Sequence, residues 1–316
     1  MSWPIKQKLI FVTGKGGVGR TTIAASLGLA FAEQGENTLL VQWSFRDFIS
    51  PLFGVAPAGH KQEALRENLS VMNFNPSEAM REYFVDHLNM KLLYTLVLQN
   101  QQVQKLLQSA PGLEELFFVG RLFWLAELAE EERNLKFDRI IVDAPATGHG
   151  AALFGIASTI SAFEFSGPLV DETRRVSKLL ADPQRTAIIT VALPEELPVE
   201  ETLEALPRYS REPGHLPVAL IANRSARLQS ETLDTGQITL PEASGELASE
   251  YRALLADLHR RFTMEDRLHT ESPVPVISVP DFMIEQPSLS GEGILHCVAR
   301  NANFRQLIVA SEKAIV

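Results

Sequence analysis

Residues Gly14-Lys15-Gly16-Gly17-Val18-Gly19-Arg20-Thr21 stand between an apolar run, Lys8–Thr13, and a segment carrying Ile23, Leu27 and Ala30 at helical spacing. Four glycines in eight residues let a backbone turn tightly and aim successive N–H groups at one point. The spacing is that of the phosphate-binding loop G-x-x-x-x-G-K-[ST], with Arg20 at the usual lysine position. A helix opening directly from the loop adds the partial positive charge of its N-terminus. Thr21 is then placed to ligate Mg²⁺ and Thr22 to bond a phosphate oxygen, so the implied ligand is a nucleotide's phosphates with Mg²⁺. A glycine-rich turn with no ligand is the rival reading, and it leaves the agreement of strand, spacing and helix unexplained.

The rest of the chain repeats the strand and helix alternation. Short apolar runs without polar alternation occur at Lys8–Thr13, Thr38–Trp43, Arg139–Asp143, Thr186–Ala192, Pro217–Asn223 and Val274–Val279. Such runs fit strands covered on both faces, as in a parallel sheet. A helix over Thr21–Gln34 is stopped by Gly35. The predicted fold is an α/β, doubly wound, mainly parallel sheet within a single domain over residues 1–316. Between Val71 and Lys136 the strand rhythm lapses and helical patterns take over at Ser77–Met90, Lys91–Ser109 and Leu113–Glu132, which predicts a helical subdomain inserted at about 72–135. Residues from Arg227 to about Gly245, rich in Ser, Thr, Gly and Glu, read as a surface loop.

Lys15, directly after the first glycine, is an addition to the ordinary motif. GKGGVGRTT closely resembles the deviant Walker A loop of the ArsA/MinD superfamily of dimeric ATPases. Asp143 follows the apolar Ile140–Val142, where a Walker B carboxylate that holds Mg²⁺ belongs. The string Asp143-Ala144-Pro145-Ala146-Thr147-Gly148-His149 resembles the switch II segment of the ArsA/Get branch, which includes arsenical-pump ATPases and the ATPase that targets tail-anchored membrane proteins. Pro111 to Glu115, and Leu193 to Leu197 followed by Glu201-Thr202, are similar to the same branch. MinD and ParA proteins have a different, shorter Walker B sequence.

The resemblance spans about Leu9 to Ser290 and implies several roles. Lys15 would reach the nucleotide of a facing subunit, in the manner of an arginine finger, which makes dimerisation part of the site. Lys15 and Asp143 are the implied catalytic residues. Gly14 to Thr22 would hold the phosphates of ATP or ADP, and Asn223 and Pro280, each at a strand end, would line the adenine pocket. Thr147, Gly148 and His149 would form the γ-phosphate-sensing switch, although an ordinary turn histidine is a fair alternative for His149.

Three departures qualify those roles. Arg20 replaces a compact ammonium by a wide planar guanidinium; phosphate binding survives that exchange more readily than transition-state positioning does. In the family a switch I segment of the type V-S-T-D-P-A-H-S-L-x-x-x-F-G ends the second strand, whereas this chain reads Val41-Gln42-Trp43-Ser44 through to Phe53-Gly54 in the same register. Ser44 thus stands where the family has the aspartate that orients attacking water, and a hydroxyl cannot take that proton as a carboxylate does. Asp47, three residues on, either substitutes in a rebuilt loop or simply caps a turn, and capping is the simpler reading. The third departure is cysteine: Cys297 is the only one, so thiolate capture of arsenite and a C-x-x-C zinc staple are both excluded and no zinc is expected. Together these features imply an ATPase with weakened hydrolysis in the isolated chain, acting as a homodimer or completing the site of a paralogous subunit. The alternative is a largely non-hydrolytic scaffold or a holder of hydrophobic clients.

Two segments bear on clients. Phe84–Leu98 and Leu116–Leu128 carry more apolar surface than one buried helix face requires. In the tail-anchored-targeting branch, helices in this region form a groove for a client's membrane segment, whereas burial in the core or a dimer interface explains the surplus equally. A formal net charge of −10 argues against nucleic acid as a partner. No apolar run reaches the ~20 residues that span a bilayer, and with a lone cysteine a cytoplasmic location is expected. His87, His149 and His296 lack ligand spacing to one another.

Overall fold

The computed structural model describes residues 4–82, 112–144, 168–211, 213–225, 246–282 and 288–309, together with Val85, Phe154 and Arg227. Eight strands form one sheet: β1 Leu9–Gly14, β2 Thr38–Gln42, β3 Glu63–Arg66, β4 Leu69–Asn73, β5 Arg139–Asp143, β6 Thr186–Ala192, β7 Ala219–Asn223 and β8 Val276–Val279. Their spatial order is β3-β4-β2-β5-β1-β6-β7-β8. Every pair is parallel except β3 with β4. The chain moves outward from β1 to β2 on one side and later from β5 to β6 on the other. That reversal opens a crevice beyond the carboxyl ends of the central strands.

The strands are buried on both faces because helices cover both. Ile10, Val12, Leu40, Ile141, Ile189 and Ile221 point to a core shared with α1 (Arg20–Ala32) and α8 (Gly291–Arg300). Their neighbours Leu9, Phe11, Leu39, Val41, Ile140 and Val142 point to the opposite core, which includes α3 (Leu113–Phe123) and α5 (Pro168–Ala181). The even split of successive residues between two dry faces is why these runs show no polar alternation. Helix α6 (Glu196–Tyr209) and the 26-residue α7 (Glu246–Glu271) close a third cluster around Leu220 and Leu268. The α/β expectation is met.

Three local expectations are revised. The hairpin β3–β4, turning through Asn68 at φ 56, was absent from the strand candidates. β3 is an edge strand with only Leu65 buried, so it carries no apolar run to read. The strand rhythm continues past Val71, because β4 extends to Asn73 before α2 (Pro76–Glu82) begins. The predicted Leu113–Glu132 helix is real but interrupted: α3 passes through a π-turn at Trp124–Leu128 into α4 (Ala129–Arg133). Leu116, Phe118, Val119, Leu122, Trp124 and Leu125 are buried in the core on this face of the sheet, and Phe117, Phe123 and Leu128 pack against it partly buried. The companion segment Phe84–Leu98, and most of the 227–245 loop, lie outside the described residues. No helix among the described residues is long and apolar enough to cross a membrane.

Candidate nucleotide site

The glycine loop leaves β1 at Gly14 and delivers Arg20 into the first turn of α1. Gly14 pairs in register with Val191 of β6, and a Cβ on it would run into the Val191 carbonyl. Gly19, at φ 93, precedes the helix without any side-chain cap, so the first-turn N–H groups keep no protein acceptor from that source. Gly16 and Gly17 are exposed, and a Cβ on either meets nothing within 4 Å. The loop therefore has open space beside Gly16 and Gly17, and that space together with the α1 terminus suits an anion. Thr22 sits half-buried in the first turn.

Strand register brings the other parts to the same end of the sheet. Asp143 lies beside Val12 on one side and Gln42 on the other. Its Oδ2 accepts a hydrogen bond from Thr21 Oγ1 at 2.7 Å, while Oδ1 is buried and has no hydrogen-bond partner among the described residues. A carboxylate oxygen left bare next to a threonine hydroxyl is the donor set a hard dication takes, so these residues fit Mg²⁺. Burial pushes the Asp143 carboxyl above the ordinary range, and the Thr21 bond and the Arg20 charge only partly offset this. The ionised form therefore costs stability. A carboxyl whose pKa is raised by folding contributes favourably below its unfolded value, and that contribution is lost as pH rises through the folded one. Asp143→Asn should thus raise thermal stability at neutral pH by on the order of 1–2 kcal/mol, with the gain shrinking toward pH 4. Melting curves of both proteins across that range check it.

Arg20 Nη1 donates to the carbonyl of Ala144, directly after Asp143. Burial lowers the guanidinium's pKa, and the neighbouring Asp143 pulls it back up. Lys15 points along the surface to Glu201 of α6, with Nζ 2.6 Å from Oε1, both side chains being well exposed. Asn223 ends β7, and its Nδ2 donates to the Val18 carbonyl at 2.9 Å, tying the glycine loop to that strand. Pro280 follows β8 and is buried. Ser44 lies just beyond β2, where its backbone N–H donates to Asn73 Oδ1 at 3.3 Å. Asp47 is 5% exposed and both its oxygens are engaged: Oδ1 accepts from the N–H groups of Ile49 and Ser50, and Oδ2 from that of Ala58. That geometry is a turn cap, with no oxygen directed to the glycine loop. Thr147, Gly148 and His149 lie outside the described residues.

One buried group escaped the sequence reading. Glu265 of α7 is fully buried and accepts from Ser225 Oγ at 2.7 Å, Ser278 Oγ at 2.5 Å and the Arg227 N–H at 3.1 Å. It clamps the segments that follow β7 and end β8, beside Asn223 and Pro280. Nothing in the sequence spacing of residues 225, 265 and 278 announces their meeting.

Comparison with known proteins agrees with this arrangement. A family described as anion-transporting ATPase matches residues 7–166. ATPase BagA of Mycobacterium tuberculosis is 30% identical over 259 residues, covering 79% of this chain and 74% of that protein. ATPase ASNA1 homolog 1 of Paramecium tetraurelia is 27% identical, over 62% of this chain and 68% of its own length. An arsenical pump-driving ATPase of Acidiphilium multivorum is 28% identical over 58% of this chain and 33% of that longer protein. With the glycine loop, the Thr21–Asp143 pair and the parallel sheet in place, these matches show that the chain belongs to the ArsA family of P-loop, ATP-binding ATPases.

Proposed function

We propose that this chain binds Mg·ATP at the crevice of its sheet, pairs with a second subunit through Lys15, and hydrolyses ATP only weakly by itself. Gly14 to Thr22 would hold the phosphates, Thr21 and Asp143 the metal, and the ends of β7 and β8 the base. Magnesium, when bound, would neutralise phosphate charge and orient the terminal phosphoryl group. The observation that carries the reading is the post-β2 loop. Ser44 offers a hydroxyl at the position of the water-orienting aspartate, and the nearby Asp47 has both oxygens committed to backbone N–H groups. A nucleophilic water thus finds no carboxylate base among the described residues of this loop. The partner subunit would be a second copy or a paralogue that keeps both lysine and aspartate. The segment after β4 to about residue 135 would serve as a helical subdomain of one nucleotide-binding domain.

The relatives named for arsenical pumping do not extend that substrate here, since Cys297 is the sole thiol of the chain. The experiment pairs ATP binding by calorimetry with turnover of the isolated chain. ATP should bind with turnover far below ~1 s⁻¹, and Arg20→Lys combined with Ser44→Asp should raise turnover on the order of 10²-fold. Ordinary turnover by the unaltered, isolated chain would overturn the weak-hydrolysis reading.

A further inference from the structure

We propose that Glu265 is the positioning residue of the base end of the nucleotide site: from the far face of the sheet it fixes the turn after β7 against the end of β8, and affinity for the base depends on it although it touches no ligand. The inference rests on the nucleotide-site reading above and deepens it by naming the group that keeps the two base-binding strand ends in place.

Side chains at the ends of β7 and β8 still alternate between the two faces of the sheet. Ala222 and Val276 join the cluster formed with Leu268 and Met264 of α7, whereas Ile221 and Val279 join the core on the α1 side. Asn223 follows the second set, since its Nδ2 reaches the Val18 carbonyl of the glycine loop. Ser278, in register with Ala222, follows the first and meets Glu265. Glu265 therefore lies across the sheet from the glycine loop, and it acts on the crevice only through the backbone that it holds.

That hold is on one turn and one strand end. Ser225 Oγ at 2.7 Å and the Arg227 N–H at 3.1 Å donate to Glu265 from the turn after β7, and Ser278 Oγ donates at 2.5 Å from β8. Arg261, one helical turn earlier on the same face of α7, donates from Nη2 to the Arg224 carbonyl at 2.6 Å. The Ser225 N–H donates to the Val279 carbonyl at 2.8 Å, which prolongs the pairing of β7 with β8 past the end of the strand. Between these anchors Arg224 sits at φ 55, a left-handed conformation that residues with side chains rarely adopt and keep only where their surroundings impose it. Its Nε lies 3.6 Å from Oδ2 of Asp281, the residue after Pro280, so an ion pair bridges the same two strand ends. Burying a carboxyl group is costly, and plain packing of α7 would be served better by an apolar side chain. Each of these hydrogen bonds instead secures a residue close in sequence to Asn223 or Pro280.

Removing the carboxyl group leaves two hydroxyls and an N–H buried without that partner, and the turn relieves this by shifting toward water. Asn223 stays in the ladder opposite Val279, so its tie to the glycine loop survives while the rim beyond it moves. The phosphates, held from β1 and α1, are not disturbed. Glutamine at 265 is tolerated, because its oxygen can accept from the Arg227 N–H while its amide donates to the serine hydroxyls, which also accept.

Calorimetric titration with ATP and with inorganic tripolyphosphate, both in Mg²⁺, separates the base from the phosphates. Glu265→Ala should weaken ATP binding ~10-fold or more and leave tripolyphosphate binding within about twofold, while Glu265→Gln should bind ATP within about threefold of the unaltered chain. If Glu265→Ala does not fold, Ser225→Ala, which removes one donor from the turn, should show the same selective loss at ~3-fold. Equal losses for ATP and tripolyphosphate, no loss of ATP affinity, or a Glu265→Gln protein as weak as Glu265→Ala would overturn the proposal while leaving the nucleotide site standing. An unaltered chain that binds ATP no more tightly than tripolyphosphate would remove the base pocket and the proposal together.

Discussion

Gly19→Ala is expected to lower ATP affinity at least ~100-fold, equivalent to ~2.7 kcal/mol, while leaving the sheet folded. Two independent penalties act at this residue. Its φ of 93 is a left-handed conformation that costs an alanine roughly 1–2 kcal/mol. A Cβ there also collides with Asn223 Nδ2, the atom that donates to Val18 O and ties the loop to β7. Relief requires either moving Asn223, which releases the Val18 carbonyl, or lifting the loop off β7. Both displace the N–H groups aimed at phosphate. Asn223→Ala in the same background removes the collision but also the tie to Val18, and it leaves the conformational strain, so the double variant should recover little of the loss. Calorimetry for affinity and circular dichroism for the melt separate the effects. Binding by Gly19→Ala within threefold of the unaltered chain would show that this loop does not cradle the phosphates.

Lys15→Ala should behave in the opposite sense, harmless to the fold and severe for assembly. The Lys15–Glu201 ion pair is exposed on both sides, so its removal should change stability by less than ~1 kcal/mol. A charge supplied across an interface to a phosphoryl group is another matter, and losses of ~10³-fold in turnover are usual when such a group is deleted. ATP-dependent dimer formation, followed by light scattering, should be abolished, whether the partner is a second copy or a paralogue. Glu201→Gln frees the ammonium from its intramolecular partner and should shift the same equilibrium toward the dimer. Lys15→Ala protein that dimerises and turns over normally would remove the shared-site reading.

The frame of the molecule was legible because it rests on local chemistry. Apolar runs of five to seven residues mark β1, β2, β5, β6 and β7, since strands dry on both faces leave no room for polar residues. Glycines with forced conformations marked the loop for a similar reason. What escaped was set by distance along the chain. Glu265 meets Ser225 and Ser278 only through the packing of α7 on β7 and β8, and Lys15 meets Glu201 across 186 residues of sequence. The β3 edge strand escaped because solvent on one side removes the apolar signal. Asp47 was a matter of degree: position allowed two roles, and three backbone N–H groups on its carboxylate identify it as a cap.

That cap has a dynamic meaning. By gathering Ile49, Ser50 and Ala58, Asp47 fastens the chain from 47 to 58 into one closed ring around the 3₁₀ turn Ser50–Phe53. On the other side Gln42 is fixed in β2, and its Oε1 reaches forward to the Phe48 N–H at 2.9 Å. Between these two anchors lie residues 43–46: Trp43 is wedged against Phe74 and Phe118, the Ser44 N–H is bonded to Asn73, and Phe45 and Arg46 pack on the Phe48 ring. The loop that follows β2 is thus tied at both ends and along its length, and what it offers to solvent is one aromatic ring, that of Phe45, 88% exposed.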